Sequence, residues 1–482
     1  MRNLIFALFG ATGDLSYRKL IPAMYNLHRR GILKENVTIL AIGRRDWTRE
    51  TYIEEVRPWV KEFARLDFTD EAFDEFAQHI DYHRMEFTNM EDYLGLYSAF
   101  DTLAQESPEP LSYIFYYAVA PSFFDIITDG LTETGCIQQQ CRVIIEKPFG
   151  DDLEKARDLA DRLSKAYGEE NVYHIDHYLG KEMVQNISTL RFRNEIFRGA
   201  WNQRHIDNVQ ISAFEEVGME GRGAYYEENG ALKDMVQNHM FQVFTIFAME
   251  EPSDLNDDDS IHRAQTRVIE DLEPVTSENL QDSVCLAQYD GYHDEEDIPA
   301  DSTTETYAAM RLQIKNERWR GVPIYIRTGK KLNRRETVLV VNFRQTHPED
   351  PGNRLIFRIQ PEEGVSLVFN IRKSGGDHGT DEVSMDFLQK SRPTWQNSPE
   401  AYERLLQAAY DGERGLFSPW AMITASWSWI NDLIAAWEDA GRPLATYEPG
   451  SEGPAAAEEL LAQHGHSWTE TKVNNSESGS NA

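Results

Sequence analysis

Ten residues, Tyr173-His174-Ile175-Asp176-His177-Tyr178-Leu179-Gly180-Lys181-Glu182, bring acids, histidines, tyrosines and a lysine into one stretch. If its second half is helical, His177 and Lys181 stand four apart and share one helix face. A cation beside a histidine on one face suits a phosphate or another oxyanion; the bland alternative is a charged, solvated helix end. A second cluster places His239 deep in an apolar stretch, with Asp234 five residues earlier. A lone histidine there is most often a satisfied core residue. Asp176, however, supplies a carboxylate that can orient an imidazole from elsewhere in the chain. Such a pair holds one tautomer and makes a useful general base.

The N-terminus adds a binding element. Leu4 to Phe9 is an apolar run of strand length. It enters Gly10-Ala11-Thr12-Gly13-Asp14-Leu15 and then a helix-like segment to about Arg30. Strand, glycine turn and helix together present backbone N–H groups to a pyrophosphate, although the three-glycine fingerprint is incomplete. The run is too short for a signal peptide, and no cleavage site follows it. The next strand, Val37 to Ile42, ends in Gly43-Arg44-Arg45. NAD-binding units usually place an acid near this point. Arginines favour a 2′-phosphate and hence NADP, the alternative being a solvated surface pair. Val143 to Glu146 is a third strand end, and Lys147 follows it, placed to reach cofactor or substrate. Pro148 restricts the Lys147 backbone to extended conformations.

These groups need elements to position them. Up to about residue 175, strands at 4–9, 37–42, 112–119 and 142–146 alternate with amphipathic helices. That rhythm predicts an α/β, Rossmann-type doubly wound parallel sheet. Later strands, at 205–216, 306–314, 337–343, 355–359 and 365–371, have few helices between them. They predict a larger C-terminal α+β domain built on an antiparallel sheet. From Tyr402 the chain reads as helical, with Trp427, Trp429 and Trp437 in its core. The resulting division is a dinucleotide-binding domain over 1–175, a substrate-binding, catalytic and dimerisation domain over 176–468, and a disordered Asn/Ser/Gly-rich tail over 469–482.

Composition narrows the function classes. A chain of 482 residues can bury a large core. No apolar run approaches 18 residues, which argues against a membrane span. Three cysteines without a Cys-x-x-Cys pattern argue against a disulfide framework and fit a cytoplasmic location. A net charge of −33 argues against nucleic acid and should repel an anionic substrate. Only 14 of the 48 basic residues are lysine, so the placing of Lys19, Lys147, Lys181 and Lys330 inside motifs is informative. Acidic runs such as Asp257-Asp258-Asp259 read as solvated loops and not as metal sites, because no His/Cys ligand spacing accompanies them. So acidic and lysine-poor a surface suggests a salty cytoplasm, where salt screens the repulsion.

Taken together, GATGDLSYRKL at 10–20, EKPFG at 146–150, IDHYLGKEMVQN at 175–186, EEVGMEGRGAYYEENGALKDMVQNH at 215–239, TETYAAMRL at 304–312 and RWRGVPIYIRTGKKL at 318–332 resemble glucose-6-phosphate dehydrogenases, the bacterial members above all. The resemblance runs from about residue 1 to 465. It implies oxidation of glucose 6-phosphate at C1 to the 1,5-lactone with hydride transfer to NADP, the first step of the oxidative pentose phosphate pathway. It implies no metal, and a homodimer or dimer of dimers formed through the antiparallel sheet. Residue by residue, His239 resembles the base that takes the proton of the sugar 1-hydroxyl, and Asp176 its orienting partner. His177, Tyr178 and Lys181 resemble the phosphate-binding group, and Glu215 and Asp234 the sugar-hydroxyl ligands. Lys330 and Arg335 match further substrate contacts, and Lys147 a lysine touching both coenzyme and substrate. Thr12 and Arg44 resemble coenzyme ligands, Thr12 within the turn formed by Gly10, Gly13, Asp14 and Leu15 and Arg44 at the end of the second strand.

Two departures from the family pattern concern local loops. His174 stands where the family usually has arginine, and Leu286-Ala287-Gln288-Tyr289 replaces an Arg-Gly-Gln-Tyr. The competing readings are another Rossmann-type sugar dehydrogenase and a non-catalytic NADP-binding regulator. The full IDHYLGKE element and the TGK turn argue against the first, and the intact Asp176, Lys181 and His239 against the second.

Overall fold

The structure, a computed structural model, describes residues 3–34, 36–107, 109–137, 141–374, 379–389 and 398–471. The chain divides into two compact units. The first comprises Met1–Gly180, Leu255–His262 and Asn397–Thr424, and the second comprises Lys181–Asp254, Arg263–Gln396 and Ala425–Ala482.

The first unit is built on six strands: β1 (Asn3–Phe9), β2 (Val37–Gly43), β3 (Ile80–Arg84), β4 (Leu111–Tyr117), β5 (Cys141–Glu146) and β6 (Val172–Ile175). They lie in the order β3-β2-β1-β4-β5-β6 and every pairing is parallel. This is the doubly wound order that the alternation of strands and helices predicts. The central strands are near-continuous apolar runs because helices cover both faces. Phe6, Leu8, Ile39, Ala41, Ile114 and Tyr116 share one core with Tyr25, Tyr52 and Phe76, joined by Leu405 and Leu406 of the Ala401–Asp411 helix. The edge strands β3 and β6 escape sequence reading. β3 carries polar residues, which a strand paired on one side tolerates, and β6 is only four residues long, though buried throughout.

The second unit holds a nine-stranded sheet. Its strands are β7 (Ile206–Phe214), β8 (Val284–Tyr289), β9 (Tyr307–Leu312), β10 (Ile324–Gly329), β11 (Glu336–Phe343), β12 (Arg354–Gln360), β13 (Gly364–Arg372), β14 (Thr380–Leu388) and β15 (Ala445–Tyr447). The order is β14-β13-β12-β11-β7-β10-β9-β8-β15. Most neighbours are antiparallel, as the sequence predicts, but β7 with β10 and β8 with β15 pair parallel, so the sheet is mixed. The long stretch between Phe214 and Ile324, which holds helices as well as β8 and β9, supplies the crossover that a parallel pair requires.

Trp427 and Trp429 are buried on the Trp420–Ala440 helix, whereas Trp437 is only half-buried. Trp429 donates to the carbonyl of Glu273 at 3.0 Å and packs edge-on against Phe241. Of the tail expected over 469–482, residues 472–482 lie outside the described residues. Thr469 N donates to Gln210 Oε1, and Thr471 Oγ1 to Glu336 Oε1, each at 2.8 Å. Among the described residues, no helix is long and apolar enough to cross a membrane.

Candidate functional site

In the first unit the glycine turn leaves β1 beside the switch in strand order. Gly10 has φ +82°, and a Cβ there would lie 2.2 Å from the carbonyl oxygen of Ala118, so only glycine fits. Gly10 N and Ala11 N both donate to the Ile42 carbonyl, at 3.1 and 3.0 Å, which ties the turn to the end of β2. Thr12 packs against that end, since a Cβ on Gly43 would sit 3.0 Å from its Cγ2. Gly13 N closes the turn on Gly10 O at 3.0 Å. Asp14 and Leu15 open the helical run that continues through Ser16–Leu20 and Ile21–Arg29. As its first residues, they present N–H groups that no carbonyl inside the helix can accept. The donor set therefore fits a pyrophosphate. The Asp14 side chain is exposed and pairs with Arg18 at 2.8 Å.

Arg44 and Arg45 are both exposed at the end of β2. Arg45 lies over the Trp47 ring at 4.6 Å. Arg44 forms no ion pair among the described residues. Lys147 follows β5 and is half-buried. Its neighbour Glu146 accepts from Tyr116 Oη at 2.6 Å and from Tyr402 Oη at 3.1 Å. Burial pushes the Glu146 carboxyl up to about 7, against the two phenol donors and Lys147, while Asp176 adds a smaller upward push.

Asp176 to Gly180 form a turn, not the start of a helix. Asp176 is 3% exposed; its Oδ1 accepts from Tyr178 N at 2.9 Å and its carbonyl from Leu179 N at 3.0 Å. Gly180 packs so closely that a Cβ would meet the Ala401 carbonyl oxygen at 2.7 Å. The helix begins only at Glu182, with Lys181 as its extended N-cap at φ −75° and ψ 131°. The shared helix face expected for His177 and Lys181 is therefore absent, because the Asp176 side chain bonds its own backbone two residues on and stabilises a turn. His177 stands half-buried against Tyr178, ring centroids 5.1 Å apart. His174 is buried, its Nδ1 2.8 Å from the Ser418 carbonyl oxygen and its ring 3.9 Å from Trp420. Burial lowers its pKa to about 3, so it is a neutral core residue where the family usually has a cation.

In the second unit, Lys181 Nζ donates to Gln360 Oε1 at the end of β12. His239 is 2% exposed and lies on a π-helical segment, Leu232–Met240. Such a segment bonds i→i+5 and turns less per residue than an α-helix, so Asp234 and His239 come nearer to one face. Asp234 is buried and accepts from Tyr225 Oη at 3.2 Å. Glu215 follows β7 and forms an ion pair with Lys330, which follows β10. Lys330 is buried, its Nζ 5.3 Å from the Tyr226 ring, with its carbonyl accepting from Tyr447 Oη at 2.8 Å. Arg334 pairs with Glu336 and Glu452, whereas Arg335 is exposed and, among the described residues, unpaired.

The structure thus joins Glu215 with Lys330 in the second unit, and groups Gly10, Thr12 and Gly13 with the end of β2 in the first. Asp176 belongs to the first unit and His239 to the second. Sequence reasoning missed Glu146, Tyr402 and Gln360 as groups that surround or hold these residues. For Glu146 a signal existed: an acid closing an otherwise apolar strand, Val143-Ile144-Ile145-Glu146.

Two family models match this chain. The NAD binding domain of glucose-6-phosphate dehydrogenase matches residues 7–186, and its C-terminal domain matches residues 188–469. A glucose-6-phosphate 1-dehydrogenase of Bacillus subtilis is 36% identical, covering 96% of this chain and 98% of the relative. That of Aggregatibacter actinomycetemcomitans is 38% identical, covering 97% of each. A solved glucose-6-phosphate dehydrogenase in complex with its substrate glucose-6-phosphate superposes with a TM-score of 0.89 at 32% identity, over 97% of this chain and 99% of that one. The chain belongs to the glucose-6-phosphate dehydrogenase family.

Proposed function

We propose that this chain oxidises D-glucose 6-phosphate at C1 to 6-phosphoglucono-1,5-lactone with NADP as the acceptor. One observation carries the reading. A single chain joins a dinucleotide-type sheet, with its glycine turn, to a unit holding a buried histidine on the same helix as a carboxylate. The reaction needs a neutral base at the C1 hydroxyl, and His239 takes that proton. Asp176 orients the imidazole and stabilises the imidazolium that forms. A bound nicotinamide supplies the acceptor for the C1 hydride.

The other residues bind and orient. Lys181, His177 and Tyr178 hold the phosphate, whose remote binding energy sets C1 in place. Glu215 and Asp234 accept from sugar hydroxyls, and Lys330, Arg335 and Lys147 supply further contacts. Arg44 is the cation for the 2′-phosphate, supported by its exposure at the end of β2, where the adenosine ribose is expected. The buried thiols of Cys136, Cys141 and Cys285 support a reducing cytoplasmic setting. Met385 and Ile371, exposed on β14 and β13, support pairing of two copies through this sheet.

The deciding assay is NADP reduction with glucose 6-phosphate, with free glucose as control. Rapid reduction with the phosphorylated sugar alone is the expected result. Equal rates with free glucose, or no reduction with either, would reject the reading.

A further inference from the structure

We propose that Glu305 is a positioning residue for this reaction, fixing the start of the helix that carries Asp234 and His239 by receiving two successive backbone N–H groups in a space that Gly230 leaves open. The inference rests on the assignment of His239 as the base. Glu305 belongs to the TETYAAMRL segment, to which no role falls in the scheme above.

The geometry is a double clamp. Ala231 N donates to the Glu305 carbonyl at 3.0 Å, and Leu232 N donates to Glu305 Oε1 at 2.9 Å. Leu232 is the first residue of the π-helical segment, so its N–H has no partner within that segment. A carboxylate at this point both satisfies the donor and complements the helix dipole. Space for it depends on Gly230, whose φ of +61° and ψ of −175° are glycine territory. A Cβ on Gly230 would lie 2.4 Å from Glu305 Oε1 and 2.7 Å from its Cδ.

The adjacent residue extends the clamp to the substrate lysine. Thr306 O accepts from Lys330 N at 3.0 Å, and Thr306 N donates to Ala287 O at 2.9 Å. Residues 305 and 306 thus reference the His239 helix and the Lys330 turn to the same point on the sheet, just before β9.

The charge on Glu305 is finely placed. Burial raises its carboxyl to about 7, opposed by the Leu232 N–H, its own N–H and Lys233, and reinforced by Glu227. Glu227 in turn accepts from Tyr292 Oη at 3.0 Å and Ser302 Oγ at 2.8 Å. Glu438 and Arg442 line the same cavity, of about 420 Å³. Tyr226 also lies within its field. Glu305 therefore gains its charge, and the clamp its strength, as pH rises through about 7.

The test compares Glu305→Ala, Glu305→Gln and His239→Asn in the full chain, reading kcat, KM, NADP affinity and the kcat–pH profile. Misplacing a base by about 1 Å costs up to ~100-fold, so the Ala variant should lose roughly 10- to 100-fold in kcat with NADP affinity held within about twofold. The Gln variant keeps an oxygen acceptor for Leu232 N–H. It should recover kcat at about pH 8 and lose the part of the wild-type decline toward pH 6 that Glu305 protonation causes. Wild-type kcat in the Ala variant, or equal losses in the Ala and Gln variants, would overturn the proposal. If the Ala variant does not fold, the Gln variant decides, and a pH profile identical to wild type overturns the clamp. An active His239→Asn variant would instead remove the base assignment, so the two failures are distinguishable.

Discussion

Tyr116 donates its phenol to Glu146 at 2.6 Å, joining neighbouring strands β4 and β5 at the end where Lys147 leaves the sheet. The contact holds a carboxyl whose pKa burial has moved up to about 7. A raised folded-state value means that the native protein binds this proton more tightly than the unfolded chain, whose glutamate titrates near ~4.3. Stability from this group is therefore complete below the unfolded value and is lost as pH climbs through about 7. Thermal melting of the wild type should fall between about pH 5 and pH 8, and Glu146→Gln should reduce that fall. An unchanged pH dependence of Tm in the variant would rule out Glu146 as its source. His174 acts in the opposite sense: with its pKa lowered to about 3, it removes stability as pH drops below about 6.5.

His239→Asn should abolish turnover while substrate binding survives. General-base catalysis contributes roughly 10²- to 10⁴-fold, and a loss of that size in kcat is expected. Glucose 6-phosphate affinity by calorimetry should change little. A variant with near-native kcat would exclude His239 as the base.

Lys181→Ala should raise KM for glucose 6-phosphate far more than for free glucose, because a charge-assisted bond to phosphate is lost. Gln360 is the side chain that receives Lys181 in the structure. Gln360→Ala should therefore give the same pattern in weaker form, through loss of the lysine's aim. Steady-state kinetics on both sugars provide the check, and parallel effects on the two would remove Lys181 from the phosphate site.

Arg44→Ala should weaken NADP binding by about 1.5–3 kcal/mol at low ionic strength, with NAD kinetics little altered. Arg45 is engaged over Trp47, so the single substitution should suffice. If the Arg44→Ala, Arg45→Ala double variant keeps its NADP/NAD preference, the 2′-phosphate is held elsewhere.

Much of this architecture was legible because burial on two faces forces unbroken apolar runs. Leu4 to Phe9 and Val37 to Ile42 could hardly be anything but central strands. The same reasoning passes over β14, Thr-Asp-Glu-Val-Ser-Met-Asp-Phe-Leu, an edge strand with a largely exposed face. The chemistry-bearing residue types stood out by rarity, lysine above all. Their local geometry did not, because periodicity cannot distinguish a helix from a turn capped by Asp176. Glu305 was illegible for another reason: its partner Leu232 lies 73 positions away, and only the folded sheet brings them together.

The π-helical stretch Leu232–Met240 makes chain length itself a determinant of chemistry. Were the same nine residues to wind as an ordinary α-helix, every side chain would still be of the right type. Each residue of an α-helix advances by about 100°, more than in this segment, so His239 would then swing to a different azimuth relative to everything upstream. A chain shorter by one residue here could wind as an α-helix and still aim its histidine in nearly the same direction. Within this helix, identity at position 239 matters only together with the residue count that precedes it.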